Sequence, residues 1–200
     1  MEINLLGFIP ALLPVACSPG ASFTLAMNSA LGGGRRGLIR TLAGTALGIY
    51  THALLIGLGL TAILVSSPGV FGMLKVAGTV YLLWLGTQLI LSGWKAQRID
   101  FTRENATVTL KEAWLANVLN PKAVIFYLTV VSQFAGSSGE VSHYLVLASV
   151  HIAVMSLWLI AVSNVLIFSA RKADPVVLKK YVNIGGGLLL VVFSLGNLFH

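Results

Sequence analysis

Lys122 is the side chain whose position most needs a chemical reason. It stands in Asn120-Pro121-Lys122-Ala123 and is followed directly by an apolar run, Ala123 to Leu128. A lysine inside a bilayer costs at least about 2.5 kcal/mol and tends to mark a transport pathway or a partner. No Asp or Glu falls within the apolar stretches except near their ends. Lys122 therefore has no internal counter-ion in the sequence, and a substrate carboxylate would supply one. The same residue can also be read as a lysine whose stem snorkels to the cytoplasmic interface. The sequence leaves both readings open.

Two prolines give the lysine its setting. Ser18-Pro19-Gly20-Ala21 and Asn120-Pro121-Lys122-Ala123 each interrupt an apolar stretch. Proline removes a backbone donor and collides with the preceding turn, and in lipid the freed carbonyl needs another partner. Paired breaks at corresponding positions in two halves of a chain point to a binding site. The alternative is two kinks in packed helices. Two histidines also lie in apolar surroundings. His52 continues the stripe Gly44, Gly48, His52, whose glycines let another backbone approach closely. His151 lies in the corresponding stretch of the second half. Each can take a proton near neutral pH, or stay neutral in a hydrogen bond between helices. Asn117, Asn164, Gln88 and Gln133 read as interhelical glue. Tyr81, Trp84, Tyr127 and Trp158 read as core or lipid-facing aromatics.

The elements that must position these groups follow from composition. The chain has 200 residues, 56% hydrophobic and 10% charged, against about 25% charged in an ordinary soluble domain. Six stretches approach the roughly 20 apolar residues of a spanning helix. They run from about Leu5 to Met27, Thr41 to Val65, Phe71 to Leu91, Ala113 to Phe134, Tyr144 to Phe168 and Tyr181 to Phe199. The expectation is one all-α membrane domain over residues 1–200 with about six transmembrane helices.

The net charge of +7 is distributed in clusters between these stretches: Arg35, Arg36 and Arg40; Lys95, Arg98, Arg103 and Lys111; Arg171, Lys172, Lys179 and Lys180. The links Ser66–Val70 and Gly136–Glu140 are nearly uncharged. Every basic link then falls on one side, which the positive-inside rule makes the cytoplasm, with both termini periplasmic. No basic stripe interleaves with exposed aromatics, so nucleic acid is not an expected partner. Gly32 to Gly37 reads as a flexible turn carrying topology charges rather than a phosphate nest. The N-terminus lacks the basic start of a secretory signal and is expected to stay in the mature protein.

Each half holds an odd number of crossings, so a duplicated unit would insert upside down relative to its copy. The expected division is a first repeat of about 1–94, a cytoplasmic linker of about 95–112 and a second repeat of about 113–200, with helices 1 and 4 broken at Pro19 and Pro121. Leu85-Gly86 and Leu195-Gly196 recur near the ends of helices 3 and 6. This order fits two inverted three-helix repeats with a site at their interface. The expected substrate-binding set is Pro19, Gly20, Ala21, Ser22, Asn120, Pro121 and Lys122. His52 and His151 are the proton-coupling candidates, and Gly44 and Gly48 the packing positions. A single cysteine, Cys17, excludes an internal disulfide and a membrane dithiol. With no His, Asp or Glu cluster at ligand spacing, neither a metal site nor a cofactor is expected, and no enzyme activity.

At these residues the chain resembles the lysine-exporter/homoserine-threonine-exporter (LysE/RhtB) family of bacterial amino-acid efflux proteins. The likeness covers essentially the whole length. It is carried by Ser18 to Phe23, Gly34 to Leu38, Gly44 to Gly48, Gly78 to Gly86 and, most specifically, Asn117-Val118-Leu119-Asn120-Pro121-Lys122-Ala123, ending in Gln133-Phe134. Ala21 and Ser22 replace a proline and an asparagine usual in that family, and Ser132 replaces a proline. The resemblance implies proton-driven export of amino acids across the inner membrane by a homodimer. Small neutral amino acids of the threonine, homoserine or leucine type are expected, since a cationic side chain would need an acidic partner that the helices lack. Export of a cation or another small metabolite is the alternative within the wider superfamily.

Overall fold

The computed structural model describes residues 3–18, 21–66, 69–95, 108–136, 140–168 and 175–198. Those residues form helices and no strand. Pro19, Gly20, most of the expected 95–112 linker and the basic pair Arg171 and Lys172 lie outside them.

Helix α1, Leu5–Cys17, starts at an Asn4 cap whose side chain accepts the Gly7 amide at 2.9 Å. Helix α2, Ala21–Ser66, holds one non-helical residue, Gly34, at φ 57° and ψ −147°. The sequence reading placed an open link from about residue 28 to 40. Here the chain is helical on both sides of a single glycine, because a residue without a Cβ takes positive φ without steric cost. Gly37 then lies against the Ser29 carbonyl, so closely that a Cβ would collide with it. Eight residues of straight helix would hold these groups about 12 Å apart, so the two arms of α2 fold back on each other.

Helix α3 is Gly69–Trp94. Helix α4, Leu110–Val118, begins three residues before the expected Ala113 because Thr109 and Glu112 form a reciprocal capping box, which satisfies two amide donors at once. Helix α5, Pro121–Ile125, starts from an Asn120 cap with Pro121 in its first turn, where a missing N–H costs nothing. A π-helical segment, π1 (Phe126–Val131), follows, then α6, Ser132–Phe134. Helices α7, Val141–Phe168, and α8, Pro175–Leu198, complete the chain. Helix α8 begins six residues before the expected Tyr181, with a proline first.

Two helical stretches, Gly32–Gly59 and Val141–Val165, are long and apolar enough to cross a membrane. Two bent pairs qualify if each is one span: Leu5–Cys17 with Ser22–Ala30, bent by 56°, and Leu110–Val118 with Lys122–Phe134, bent by 58°. The outer surface stays apolar, with Leu6, Met73 and Leu157 each at least 70% exposed. The interior gathers where α1, α2, π1 and α7 meet, around the fully buried Phe8, Leu12, Ile49, Phe126, Tyr127 and Leu147.

Glycines set two of the close crossings. Helix α2 lies on α4, where a Cβ at Gly44 would meet the Leu110 carbonyl and the Ala113 methyl. Helix α3 lies on α8 through Gly86 and Gly187, where a Cβ at either would come within 2.9 Å of the other's carbonyl. The spatial partner of Gly86 is thus Gly187, and Gly196 faces open space. Gly86→Leu is expected to lower the midpoint of thermal unfolding in detergent, consistent with an overpacking cost of about 1–3 kcal/mol, while Gly196→Leu leaves it in place. Equal behaviour of the two variants would contradict this crossing.

Candidate functional site

Proline at position 19 has no N–H, so the Val15 carbonyl four residues earlier has no helical donor. The ammonium of Lys122 reaches across from α5 and donates to that carbonyl at 3.1 Å and to the Ser18 hydroxyl. Ser18 itself donates to the same Val15 carbonyl at 3.2 Å. Proline at position 121 deprives the Asn117 carbonyl in the same way. That carbonyl accepts from the Asn120 amide at 3.0 Å and lies 3.3 Å from His52 Nε2. Each carbonyl orphaned by a proline in one half of the chain is therefore met by a basic side chain from the other half.

Lys122 is held firmly for this task. Its backbone N–H donates to the Asn120 side chain at 3.0 Å, and its carbonyl accepts from the Tyr81 hydroxyl at 3.3 Å. Among the described residues its ammonium meets hydroxyl and carbonyl oxygens and no carboxylate. The side chain runs to the end of α1 inside the protein, rather than out along the surface.

A cavity of about 70 Å³ lies between the two bends. Its polar lining is Ser18, Ser22, Asn117, Asn120, Lys122 and His151, and its apolar lining includes Phe23, Ile49, Phe126 and Met155. The volume is several times the roughly 10–15 Å³ needed to admit one water. Asn120 caps α5 with its side-chain oxygen, which is therefore already engaged.

The two histidines come together around a residue that the sequence reading left as an ordinary aromatic. The Tyr127 ring is stacked between them, 5.8 Å from His52 and 5.8 Å from His151. Its hydroxyl lies 3.2 Å from His151 Nδ1. His151 lines the cavity and His52 stands behind it on the Asn117 carbonyl. Tyr127 belongs to π1, and side chains in it and just after it bond back to the preceding turn: Thr129 to the Ile125 carbonyl at 2.7 Å and Ser132, at the start of α6, to the Leu128 carbonyl at 2.7 Å. Such back-bonding competes with the regular ladder, and π turns recur at functional sites. The hydroxyls at 129 and 132 were the only sequence trace of this turn.

Of the other expected residues, Ala21 is the first residue of α2 and Ser22 is at the cavity wall. Pro19 and Gly20 lie outside the described residues. Gly44 and Gly48 face α4, and a Cβ at Gly48 would come within 2.6 Å of Asn117 Oδ1. Gln88 and Asn164 are exposed on α3 and α7, and Trp84 is 56% exposed.

An all-helical protein with an apolar exterior and a basic residue at the junction of two bent helix pairs belongs to the membrane-embedded class. The LysE type translocator family profile matches residues 13–199. The chain belongs to this family of membrane transport proteins. It is 32% identical to a homoserine/homoserine lactone efflux protein of Salmonella typhimurium over 146 residues, covering 70% of this chain and 69% of the relative. It is 22% identical to a leucine efflux protein of Enterobacter over 96% of this chain and 92% of the relative. A threonine efflux protein of Escherichia coli K12 is 22% identical over 89% of each chain. No solved structure matches.

The Asn117 carbonyl can only accept, so the hydrogen bond fixes the proton of His52 on Nε2. In protein carrying 15N-labelled histidine, the neutral His52 is expected to show an Nε2–H tautomer that persists across mildly alkaline pH. An Nδ1–H tautomer would show that the Asn117 carbonyl finds its second partner elsewhere.

Proposed function

We propose that this chain is a secondary-active exporter of small zwitterionic amino acids in the bacterial inner membrane. The observation that carries the reading is the cross-connection of Lys122 to the Val15 carbonyl and Ser18 at the wall of the cavity. The Lys122 ammonium and the Val15 carbonyl that it holds are complementary to the two ends of an amino acid. A substrate carboxylate would take the ammonium of Lys122 and the first amides after the break at Pro19, from Gly20, Ala21 and Ser22, where a helix start favours negative charge. The substrate ammonium would take the Val15 carbonyl that Lys122 releases. Asn120 and Pro121 hold Lys122 in place. The names of the relatives, which specify homoserine, leucine and threonine efflux, support amino acids as the substrate class. A cationic side chain would find no carboxylate among the described lining residues to offset its cost in the membrane.

In this reading the chain makes six crossings in two inverted repeats, about 1–94 and 113–200. Helices α3 and α8, of 26 and 24 residues, are about 39 and 36 Å long at 1.5 Å per residue, enough for a hydrocarbon core of about 30 Å. The bends of 56° and 58°, and the matched pairs Val15 with Pro19 and Asn117 with Pro121, support the pseudo-symmetry. So do the packing partners: α2 on α4 answers α1 on α7, while α3 pairs with α8 and α2 with α7. Rocking one repeat against the other would switch access. Protons drive the export through His151 at the cavity and His52 behind it, and the working unit is a homodimer.

Inverted vesicles under an imposed proton gradient test this reading. They are expected to accumulate threonine, homoserine or leucine in preference to lysine. Lys122→Met should insert and fold but lose binding. Preference for lysine, or wild-type affinity in the variant, would sink the reading. In the same vesicles His151→Gln is expected to uncouple transport from the gradient, and unchanged proton dependence in both His151→Gln and His52→Gln would remove the histidines from the mechanism.

Topology has a separate test. In a Cys17→Ser background, Glu140→Cys should react with an impermeant thiol reagent from the periplasm and Lys95→Cys only after permeabilisation. The opposite pattern would invert the orientation and place both termini inside.

A further inference from the structure

A second opening lies on the outer surface between α2 and α4, a groove of about 400 Å³ that shares no lining residue with the cavity. Its walls are Leu47 and Leu54 of α2 and Leu110 and Trp114 of α4, with the three leucines at least 42% exposed. Its hydroxyls and its indole N–H are already paired. Trp114 Nε1 donates to the Thr51 hydroxyl at 3.1 Å, and that hydroxyl donates to the Leu47 carbonyl at 2.8 Å. The Tyr50 hydroxyl is 2.9 Å from the Ser149 hydroxyl. The groove therefore offers apolar surface along about 10 Å of α2, from Leu47 to Leu54. One end differs. Lys111, in the first turn of α4, completes the lining. Leu110, beside it, lies against Gly44, so this is the Leu47 end. Among the described residues no carboxylate pairs with Lys111, and the neighbouring Glu112 is spent on the amide and hydroxyl of Thr109. Arg40 adds a second charge at the same end. It is exposed, and its place seven residues before Leu47, close to two turns, puts it on the same face of α2.

We propose that this groove holds one anionic phospholipid, its phosphate taken by Lys111 and Arg40 and an acyl chain lying along the leucines and Trp114. Cationic groups at one end of an apolar slot complement a charged headgroup joined to a hydrocarbon tail, and basic pockets between helices on the cytoplasmic face bind anionic headgroups in this way. The choice of leaflet rests on the exporter reading above, which puts the 95–112 linker, and with it the start of α4, in the cytoplasm. The rest of the apolar exterior lacks this pairing. The α3 face that carries Val80 and Trp84 is exposed, and no Lys or Arg occurs from Val76 to Trp94, so that face takes any lipid. The groove also crosses the joint between the first repeat, which holds α2, and the second, which holds α4. A lipid seated there spans the two units whose rocking switches access.

Trp114 reports the occupant. A protein that keeps Trp114 alone, through Trp84→Phe, Trp94→Phe and Trp158→Phe, is reconstituted in vesicles of phosphatidylcholine and phosphatidylglycerol in which one or the other lipid has brominated chains. Brominated phosphatidylglycerol is expected to quench Trp114 with a binding constant at least about 5-fold that of brominated phosphatidylcholine, the scale of one basic residue acting on an anionic lipid. A protein that keeps Trp84 alone should give a ratio near one. Lys111→Gln together with Arg40→Gln should bring the Trp114 ratio close to one as well. If the single-tryptophan proteins do not fold, native mass spectrometry of the full chain takes their place. It should find phosphatidylglycerol retained in preference to phosphatidylcholine, and the preference lost in the double variant. Equal quenching or equal retention of the two lipids overturns the inference, as does the same preference at Trp84. A preference that survives Lys111→Gln and Arg40→Gln overturns it too. Quenching of Trp84 but not of Trp114 by either lipid would put a second copy of the chain over the groove, with the same consequence. Symmetric vesicles make the readout independent of orientation and of transport, so the exporter reading is decided separately, by the inverted-vesicle assay.

Discussion

A carbonyl inside a membrane must be satisfied from within the protein, and the site depends on how two of them are. Each proline break frees the carbonyl four residues upstream. Each freed carbonyl faces a basic side chain from the far half of the chain: Lys122 donates to Val15 O, and His52 Nε2 lies 3.3 Å from Asn117 O. The first contact ties the two bent helix pairs together at the cavity, and the second ties the later arm of α2 to α4. They also place an ammonium and an imidazole in an apolar interior with no fixed carboxylate among the described residues. A fixed acidic partner would quench the charge of Lys122 permanently; in the proposed exporter, a neutral carbonyl and a hydroxyl hold it weakly enough for a substrate carboxylate to compete.

The rest of the fold brings these groups into register. The fold-back at Gly34 returns α2 along its own first arm and carries Gly44, Gly48 and His52 to α4. The small-residue crossing of α3 on α8 and the Tyr81 bond to the Lys122 carbonyl brace the start of α5 from the other side. The π turn puts Phe126, Tyr127, Val130 and Val131 in the fully buried centre, which places Tyr127 between two imidazoles. Aromatic packing links α1, π1, α6 and α8, with Phe8 against Phe126 and Phe134, and Phe134 against Phe193. The Asn4 amide adds a backbone bond to the Phe134 carbonyl at 3.1 Å.

Several features were legible in the residues before any coordinates. An excess of apolar residues with clustered basic links can only be an integral membrane chain, because no soluble surface could be made from it. Lys122 stood out because charge in lipid is costly, and the proline pairs because a missing donor has a fixed position in a helix. Gly44 and Gly48 announced a close helix approach by their spacing alone. The family membership followed from the same segments. All of these are local consequences of residue type, independent of which helix packs on which.

What the tertiary structure alone decided concerns partners. Sequence spacing says that Pro19 frees the Val15 carbonyl, but only the fold brings Lys122, over a hundred positions away, to fill it. Asn117 read as glue between helices, and packing left its amide oxygen against Gly48 of α2 with no hydrogen-bond partner among the described residues. Tyr127 read as one more aromatic, and the π turn stacked it between His52 and His151. Gly86 meets Gly187, since register along two crossing helices is set by the fit of their surfaces. The basic turn around Gly34 proved a single-residue break, because the close approach of Gly37 to Ser29 depends on both arms at once. Residue type fixes what a group needs. Which neighbour meets that need is a property of the packed whole, where contacts far apart in sequence are satisfied together or not at all.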